Sequence, residues 1–556
     1  MRMALQPSRR PPLYPAPRQA RPVTFPAPVR GWVTNTNLSA PIDQAALVLD
    51  NWFPSQTGIK VRGGCAKYAT LPSAVTAMWI YESGSVEKLF AATETDIYNI
   101  TTIAYPALFS AVSSRSGALV LSRSGAQIVA NTAPVADVSG LNGGDWTFVQ
   151  FETSGGDFLV GVNGTDTPRE YDGTSWSTST MHHGGLTTST LSHVWAFKER
   201  LFFIQNGTMN FWYLPAGVKT GSLTQFSLAG VFSKGGSLLF GATWSLDAGD
   251  GVDDLCVIVS TMGEVAVYKG DNPSNANSWS LVGRYEIAAP LGKHAIERAG
   301  GELLIATVEG ILPISEAVSK DRAALSLSAI SRAIEPDWTV AVKERSGLPW
   351  SMLKVPEKNL MFVGTPSPSA SVEKSCYIVN LETGAWARYT GAPWEIRAQA
   401  ALLGVHYTGT GTGVIYQTDS GGSDDGVPYV ARYAGHFSPL GTNAAIKSCN
   451  LVRANFRATR TFIAQVSGSV DYSIAFPSAP SSVANSTEDT WDTGLWDAAV
   501  WDAAAASLSV TSNWQSIAKA GFVFAPQVQI TSGITPKPDA ELMSFDVQYE
   551  TGAVVV

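Results

Sequence analysis

Short apolar runs, each followed by a turn and a second run that ends in an aromatic residue, recur between residues 75 and 420. The first run is almost continuously apolar at 201–204 and 255–259, and the second carries its ring at 209–213 and 264–268. A short continuous apolar run is typical of a strand buried on both faces, whereas alternation indicates a half-buried strand. The pattern predicts antiparallel hairpins with an apolar, buried first strand and an alternating second strand.

These units recur about every 45–60 residues, which is the period of four-stranded propeller blades. In this interpretation the apolar strand lies near the hub, and the turn at 380–386 closes an outer hairpin whose Trp386 covers a blade edge. The sequence therefore predicts an all-β fold with a β-propeller of five to seven blades over residues 31–428. Because the repeats are loose, a pair of β-sandwiches stays open as an alternative.

The pattern of apolar and polar residues changes at residue 429, where the two begin to alternate. The alternation predicts an additional antiparallel β domain over 429–556, either separate or closing back on the propeller. One short helix is expected between 314 and 334, with Ser315 as its N-cap.

Three tryptophan–aspartate pairs interrupt this C-terminal domain, at Trp491, Trp496 and Trp501. A spacing of this kind fits neither a helical face nor a strand face, so it indicates a looped segment that places successive rings in pockets. Two interpretations stay open: packing within the chain, or contact with another subunit, where tryptophan is enriched.

Residues 1–30 are rich in proline and arginine and contain no acidic residue. Proline fixes φ and removes a backbone donor, so an extended arm is predicted. Three roles stay open for Arg9, Arg10, Arg18 and Arg21: contact with a neighbouring subunit or adaptor, membership of a disordered tail, or binding of DNA phosphate.

Turn residues and aromatic residues alternate between positions 25 and 64. This pattern indicates a peptide that lies along a surface and is anchored by its aromatic rings. Trp32, Trp52 and Phe53 are the predicted structural anchors within the subunit, whereas residues 1–24 are expected to reach beyond it.

Composition narrows the class of protein. The chain has 556 residues, 45% of them hydrophobic and 15% charged, with a net charge of −8, which indicates a globular protein with more than one core and no overall basic surface for nucleic acid. Its four cysteines are far apart and are predicted to be buried free thiols. The first ten residues lack the apolar stretch of a signal peptide, and no long apolar run predicts a membrane span.

The sequence contains no recognisable catalytic, metal or cofactor motif. The stretch 421–425 fails as a nucleophile elbow, and 409–413 lacks the spacing of a dinucleotide fingerprint. Acidic residues at 247–254 and 419–425 lie in glycine-rich loops without EF-hand spacing, so they are predicted to be solvated turns. No carboxylate pair marks a glycosidase. We therefore expect a protein that is not an enzyme and needs no cofactor.

The two ends of the chain carry distinctive motifs. The first comprises Phe25-Pro26-Ala27-Pro28-x-x-Gly31, Leu49-Asp50-Asn51-Trp52-Phe53-Pro54 and Val61-Arg62-Gly63-Gly64; the second comprises the tryptophan–aspartate pairs, Trp514, Gly521, Ala525-Pro526 and Asp546-Val547-x-Tyr549-Glu550-x-Gly552. Together they resemble the ends of tail nozzle, or tail hub, proteins of short-tailed bacteriophages. The resemblance covers about a quarter of the chain, and its motifs carry no known catalysis; the basic arm is longer than the motif needs.

The resemblance implies a structural protein of the virion tail. Such proteins form a ring, usually of six propeller-containing subunits, below the head-to-tail adaptor, where they continue the DNA ejection channel without sequence-specific binding and hold tail fibres or spikes. It implies no stable membrane insertion. Two alternatives stay open: a receptor- or carbohydrate-binding tail adhesin, which needs an exposed aromatic cluster such as Trp491 to Trp501, and a propeller-type polysaccharide hydrolase, which needs paired carboxylates.

Overall fold

The structure, a computed structural model, describes residues 20–40, 42–102, 134–245, 254–458, 462–482, 509–511, 513–533 and 539–554. Strands dominate these ranges, and almost all neighbouring strands pair in the antiparallel sense. The prediction of an all-β fold is therefore confirmed. Cys65, Cys256, Cys376 and Cys449 are free and buried, as predicted.

The N-terminal strands are distributed among several sheets. They are β1 (Arg21–Pro26), β2 (Ala46–Asp50), β3 (Trp52–Pro54), β4 (Ile59–Val61) and β5 (Cys65–Thr70). β3 pairs with its neighbour β4, whereas β1, β2, β4 and β5 pair with strands far along the chain, so these residues connect distant parts of the molecule.

Four sheets of four strands follow, each in simple chain order. Sheet 1 contains β6 (Ala77–Ser83), β7 (Val86–Ala92), β8 (Asp96–Asn99) and β9 (Val138–Ser139); sheet 2 contains β10 (Thr147–Thr153), β11 (Gly156–Val162), β12 (Arg169–Tyr171) and β13 (Trp176–Thr178); sheet 3 contains β14 (Leu191–Phe197), β15 (Arg200–Gln205), β16 (Asn210–Tyr213) and β17 (Thr224–Ser227); sheet 4 contains β18 (Leu238–Trp244), β19 (Leu255–Ser260), β20 (Glu264–Lys269) and β21 (Ser280–Glu286).

Sheet 5 has three strands and is followed by the helices of the described chain. The strands are β22 (Ile296–Ala299), β23 (Glu302–Thr307) and β24 (Gly310–Pro313); α1 (Ile314–Ser319) and α2 (Glu335–Glu344) flank 3₁₀ turns at Arg322–Ser328 and Ile330–Ile334. Ser315 is not an N-cap, because its side chain donates to Glu302 and Pro313 precedes the helix. No described helix is long and apolar enough to cross a membrane.

Sheets 6 and 7 bring the two ends of the chain into one structure. Sheet 6 begins with β25 (Ser351–Val355), β26 (Leu360–Thr365), β27 (Ser375–Asn380) and β28 (Trp386–Thr390), and sheet 7 with β29 (Ala398–Leu402), β30 (Val405–Gly409) and β31 (Val414–Thr418). The fourth strand of sheet 7 is β5, which pairs with β31 from the N-terminal side of the sequence. Sheet 6 continues through β2 into the C-terminal strands.

The C-terminal strands form two layers. They are β32 (Val430–Gly435), β33 (Ala445–Ala458), β34 (Ala464–Val470), β35 (Ser509–Thr511), β36 (Gln515–Gly521), β37 (Phe524–Thr531) and β38 (Ala540–Val554). One layer extends sheet 6 in the order β28-β2-β32-β37-β34, and the other has the order β3-β4-β38-β33-β35, with β1 on β38 and β36 on β33. Tyr433 and Phe545 stack between the layers, with ring centroids 5.2 Å apart.

The hydrophobic core consists of one large cluster, which joins sheets 5 and 6 to α2 and the C-terminal layers, and of smaller clusters between consecutive sheets. One cluster joins sheets 1 and 2 through Phe90 and Leu159, the next joins sheets 2 and 3 through Val160 and Leu201, and others join 3 to 4, 4 to 5 and 7 to 1. Inner strands of neighbouring sheets touch in chain order, and β29 of sheet 7 touches β6 of sheet 1. Sheets 1 to 4 are therefore stabilised mainly by the sheets on either side of them.

The apolar runs at 201–204 and 255–259 are buried, as predicted, but they form the second strands of their sheets and not the first. The strand that follows does not alternate either, since β20 is buried at all positions but one and β27 at every position. The residues of β19 and β26 are all buried, whereas the first strands β6 and β10 contain half-buried and exposed positions. A second strand has a strand on both sides and a sheet on both faces. A first strand has one free edge, and that edge borders a cavity.

Candidate functional site

The most elaborate polar cluster of the described chain surrounds Arg62, in the N-terminal stretch that carries the resemblance. Its guanidinium forms a bidentate ion pair with Asp424 at 2.8 and 2.7 Å. The remaining N–H groups donate to Asn51 Oδ1 at 2.8 Å and to the carbonyls of Gly63 at 2.8 Å and Thr390 at 3.2 Å. All five donors are therefore used.

Aromatic rings enclose this guanidinium. It lies 3.6 Å from the ring centroid of Tyr429 and 5.1 Å from that of Trp394, distances at which a cation interacts with the π face. Burial alone would lower the pKa of Arg62, but the hydrogen bonds and charge of Asp424 outweigh burial and raise it. Arg62 therefore stays charged and ties the N-terminal stretch, sheet 6, the loop after sheet 7 and the C-terminal layer to one point.

The glycines after Arg62 allow a close approach of two backbones. A Cβ on Gly64 would lie 2.2 Å from the carbonyl oxygen of Ser423, and one on Gly63 would lie 2.1 Å from Asp419 Oδ1. Any larger residue would push the 419–424 loop away from Arg62. Asp424 was expected in a solvated turn, and that interpretation is wrong, because its carboxylate is buried against the guanidinium.

The two stretches that carry the resemblance meet in space. β1 pairs antiparallel with β38, so Phe25 lies opposite Phe545 and Val23 opposite Val547. Thr24 Oγ1 donates to Asp546 Oδ1 at 2.6 Å, and Arg453 Nε donates to the other oxygen of Asp546 at 2.7 Å. Residues 21–24, which were expected to reach beyond the subunit, therefore pair within their own chain.

The other predicted site residues fall into two groups. Trp32 and Trp52 are buried and Phe53 is half-buried, and Trp32 packs edge-on against Tyr377 at 5.4 Å. Arg21 is exposed at the start of β1. The predicted contact residues Arg9, Arg10, Arg18, Trp491, Trp496 and Trp501 lie outside the described residues.

A second polar cluster lies where the first strands begin. There the first strands line a cavity of about 250 Å³, which we call the strand-start cavity. Lys293 donates to the carbonyls of Asp145 at 2.6 Å and Ser192 at 2.9 Å, and its ammonium lies 3.0 Å from Asp145 Oδ2. His294 Nε2 lies 2.8 Å from Asp145 Oδ1. These contacts connect sheets 2, 3 and 5 across the cavity.

The charges in this cluster neutralise one another. Burial would raise the pKa of Asp145, but the hydrogen bond and charge of His294, together with Lys293, hold it well below its usual range. The pKa of Lys293 is lowered by burial, which the charge of Asp145 partly opposes. The three polar contacts of Lys293 match the three hydrogens of an ammonium group, so this side chain is arranged to brace sheets.

Aromatic side chains, among them Trp79 and Phe148, line the strand-start cavity. The ring of Trp79 stacks on Phe148 with centroids 3.9 Å apart and on Phe90 with centroids 6.0 Å apart. Trp195 stacks on Phe202, and Gly241 lies against its ring. Because Trp79 is buried, its ring offers no open platform for stacking a sugar.

Among the described residues, no group of three or more His, Cys, Asp or Glu side chains is placed to hold a metal ion. The sequence analysis did not single out Asp145, Lys293 or His294. Asp145 and His294 are 149 residues apart in the chain, and no local motif announces such a contact.

No protein-family model matches this chain, and no curated protein matches it. Three solved structures show weak similarity. The computationally designed Ika8 protein is 14% identical, with a TM-score of 0.34 over 64% of this chain and 99% of that chain. The extracellular domain of a one-component system from B. thetaiotaomicron is 9% identical, with a TM-score of 0.37 over 76% and 50%. BBS1N, solved in complex with ARL6DN, is 15% identical, with a TM-score of 0.27 over 46% and 73%. TM-scores this low do not support a conclusion about the fold or the function of this chain.

Proposed function

We propose that this chain is a structural protein of a short-tailed bacteriophage, which forms the ring-shaped tail nozzle below the head-to-tail adaptor. The observation that carries the proposal is the meeting of the two motif stretches. Phe25 and the 546–549 motif share one strand pairing, and Arg62 fastens the same N-terminal stretch to sheets 6 and 7. Two motifs that resemble one group of proteins at opposite ends of the sequence thus build one structural unit.

We further propose that the seven sheets are the blades of one seven-bladed propeller. Three observations support this arrangement: the consecutive sheets share hydrophobic clusters, β29 contacts β6, and β5 supplies the outer strand of sheet 7. A strand from the beginning of the chain in the last blade holds a propeller closed, because opening it would break the pairing of β5 with β31.

The role is proposed to be assembly and conduction, without catalysis. The polar side chains of the strand-start cavity brace one sheet against another. The strand-start cavity of one subunit, with a volume of about 250 Å³, is too small to admit a DNA duplex. The ejected DNA would therefore pass through a lumen that several copies enclose, and the net charge of −8 per copy would reduce sticking of phosphates to its wall.

The proposed partners are further copies of the chain in a closed ring of six, the head-to-tail adaptor, and tail fibres or spikes. Head-to-tail contacts between identical subunits close into a ring when the rotation per subunit divides a full turn. The virion tail is the proposed location.

Native mass spectrometry of the purified full-length chain, with and without its head-to-tail adaptor, tests this proposal. We expect six copies bound to the adaptor. Specific binding on a glycan array, lost on Trp496→Ala, would favour the adhesin instead. Turnover of a capsular polysaccharide would favour the hydrolase. Glycan binding or polysaccharide turnover by a chain that forms no ring would contradict the nozzle proposal.

A further inference from the structure

An apolar groove opens where the first strands of sheets 1, 2, 6 and 7 end. It has a volume of about 670 Å³, and we call it the strand-end groove. Ile80, Leu159, Leu353 and Leu403 contribute to its lining. Leu403 has 77% of its surface exposed. A single exposed leucine on an open surface needs no explanation, but one that adjoins other apolar side chains in a groove indicates an interaction site.

The border of this groove is acidic. Glu82 and Glu357 line it and are exposed, and Lys354 also lines it. The adjoining hairpin turns add more carboxylates: Glu82 lies directly opposite Glu87 across the first hairpin of sheet 1, and Glu152 lies directly opposite Asp157 across that of sheet 2.

These opposed carboxylates are held in place without a positive partner. Like charges directly opposite each other destabilise a strand pair. Ser83 Oγ donates to Asp157 Oδ2 at 2.6 Å, and the Glu82 N–H donates to Gln150 Oε1 at 2.9 Å, so the two turns are fastened together. Within the described ranges, no Lys or Arg forms an ion pair with any of the four acids. A cationic partner would relieve this repulsion.

The chain itself contains a segment of the complementary chemistry. Residues 1–19 include Arg2, Arg9, Arg10 and Arg18, no acidic residue, and several prolines around Leu13 and Tyr14. Proline-rich segments dock in apolar grooves, and arginines match carboxylate borders. An extended segment of this length spans up to about 60 Å. The segment leaves the described chain at Ala20, beside Arg21 and its strand partner Tyr549.

We propose that residues 1–19 of one copy dock in the strand-end groove of a neighbouring copy. The inference rests on the proposed ring and names the two surfaces that form its contact. A head-to-tail contact requires two different, complementary surfaces on each subunit, and a basic arm and an acidic, apolar groove meet that requirement. β1 fixes the start of the arm on the C-terminal layer that contains β38, whereas the groove opens at the first strands of sheets 1, 2, 6 and 7.

A disulfide trap in the full-length chain tests the docking. One preparation carries Tyr14→Cys, a second carries Leu403→Cys, and the two are mixed under mild oxidation. The matched control replaces the second preparation by Val427→Cys, since Val427 is also an exposed apolar residue, 65% accessible, and does not line the groove. The four native cysteines are buried. Peptide mapping identifies which cysteines are joined.

We expect a Tyr14–Leu403 disulfide between copies that forms at least several-fold faster than the control disulfide. In a double variant with both cysteines on one chain, a disulfide found only within that chain would overturn the proposal, because the arm would then occupy its own groove. Equal rates for Leu403→Cys and Val427→Cys would also overturn it.

Charge reversal gives a second readout that does not depend on cysteine. Glu82→Lys with Glu152→Lys should slow formation of the trapped dimer by about 4- to 25-fold, if each rim charge contributes about 2- to 5-fold. Glu82→Gln with Glu152→Gln should have a smaller effect, and neither variant should lower the unfolding midpoint, since each removes a like-charge pair. Rings that form without any Tyr14–Leu403 disulfide would refute this docking and leave the ring intact, whereas the absence of rings on the adaptor would refute the proposed function itself.

Discussion

Replacing Arg62 should destabilise the chain more than almost any other single change. In Arg62→Leu the carboxylate of Asp424, which is 8% exposed, loses its bidentate partner. Asn51 Oδ1 and the carbonyl of Thr390 each lose a donor as well. The variant therefore leaves a buried charge uncompensated at the point where four parts of the molecule meet.

The magnitude follows from the geometry. Removing one partner of a buried ion pair costs about 3–5 kcal/mol, because the other charge stays buried. Asp424→Leu should cost a similar amount, since it leaves the guanidinium buried. The double variant removes both charges, and such replacements are often close to neutral. We therefore expect a coupling energy of at least about 2 kcal/mol between Arg62 and Asp424.

Urea unfolding of the wild type, the two single variants and the double variant, followed by tryptophan fluorescence and circular dichroism, measures this coupling. Arg62→Lys is the control for charge: it keeps the cation but provides three donors in place of five, and we expect it to recover only part of the loss. Additive effects of the two single variants, or a loss below about 1 kcal/mol for Arg62→Leu, would refute the reasoning.

Three further predictions concern pH, bracing and the arm. His406 in β30 is fully buried and stacks on Phe362 with ring centroids 4.0 Å apart, and burial lowers its pKa to about 3. Below about pH 6.5 the unfolded chain therefore takes up a proton that the native chain does not, so stability falls as the pH falls; between pH 7 and pH 5 the loss should be about 2 kcal/mol smaller in His406→Gln, as urea titrations at both pH values will show. Lys293→Met should cost about 1–3 kcal/mol in the same assay by leaving its acceptors unpaired, whereas Lys60→Met, at a side chain 53% exposed, should change stability by less than about 0.5 kcal/mol; equal effects would contradict the bracing role. At a protein concentration too low for copies to associate, deleting residues 1–19 should leave the thermal midpoint unchanged. Deleting 1–26 should lower it, because that removes β1 and the 2.6 Å bond from Thr24 to Asp546; equal midpoints would show that β1 contributes nothing to stability.

The all-β class and the hairpins could be predicted from the sequence because their causes are local. The apolar run at 255–259 and the aromatic end of 264–268 are neighbours in both sequence and space, as β19 and β20. The position of each run within its sheet was predicted wrongly, since burial depends on how many strands and sheets surround a strand. The first strands, such as β10, are less apolar and gave no comparable signal.

The long-range contacts could not be predicted. Arg62 and Asp424 are 362 residues apart, and the loop of Asp424 has the composition of an ordinary polar turn. Pairing of β5 with β31, and of β1 with β38, likewise depends on which strand edges remain free after the sheets have packed. The motif around residues 50–64 correctly drew attention to the region of Arg62. That this region ties distant parts of the chain together follows only from the partners that the fold brings to Arg62.

The most direct test of the nozzle proposal is cryo-electron microscopy of the intact tail, with this chain located by labelling. We predict a ring of six copies directly below the head-to-tail adaptor, with the lumen between copies and not through the cavities of one subunit. Copies found only in peripheral spikes, or a tail in which the chain encloses no DNA channel, would contradict the account.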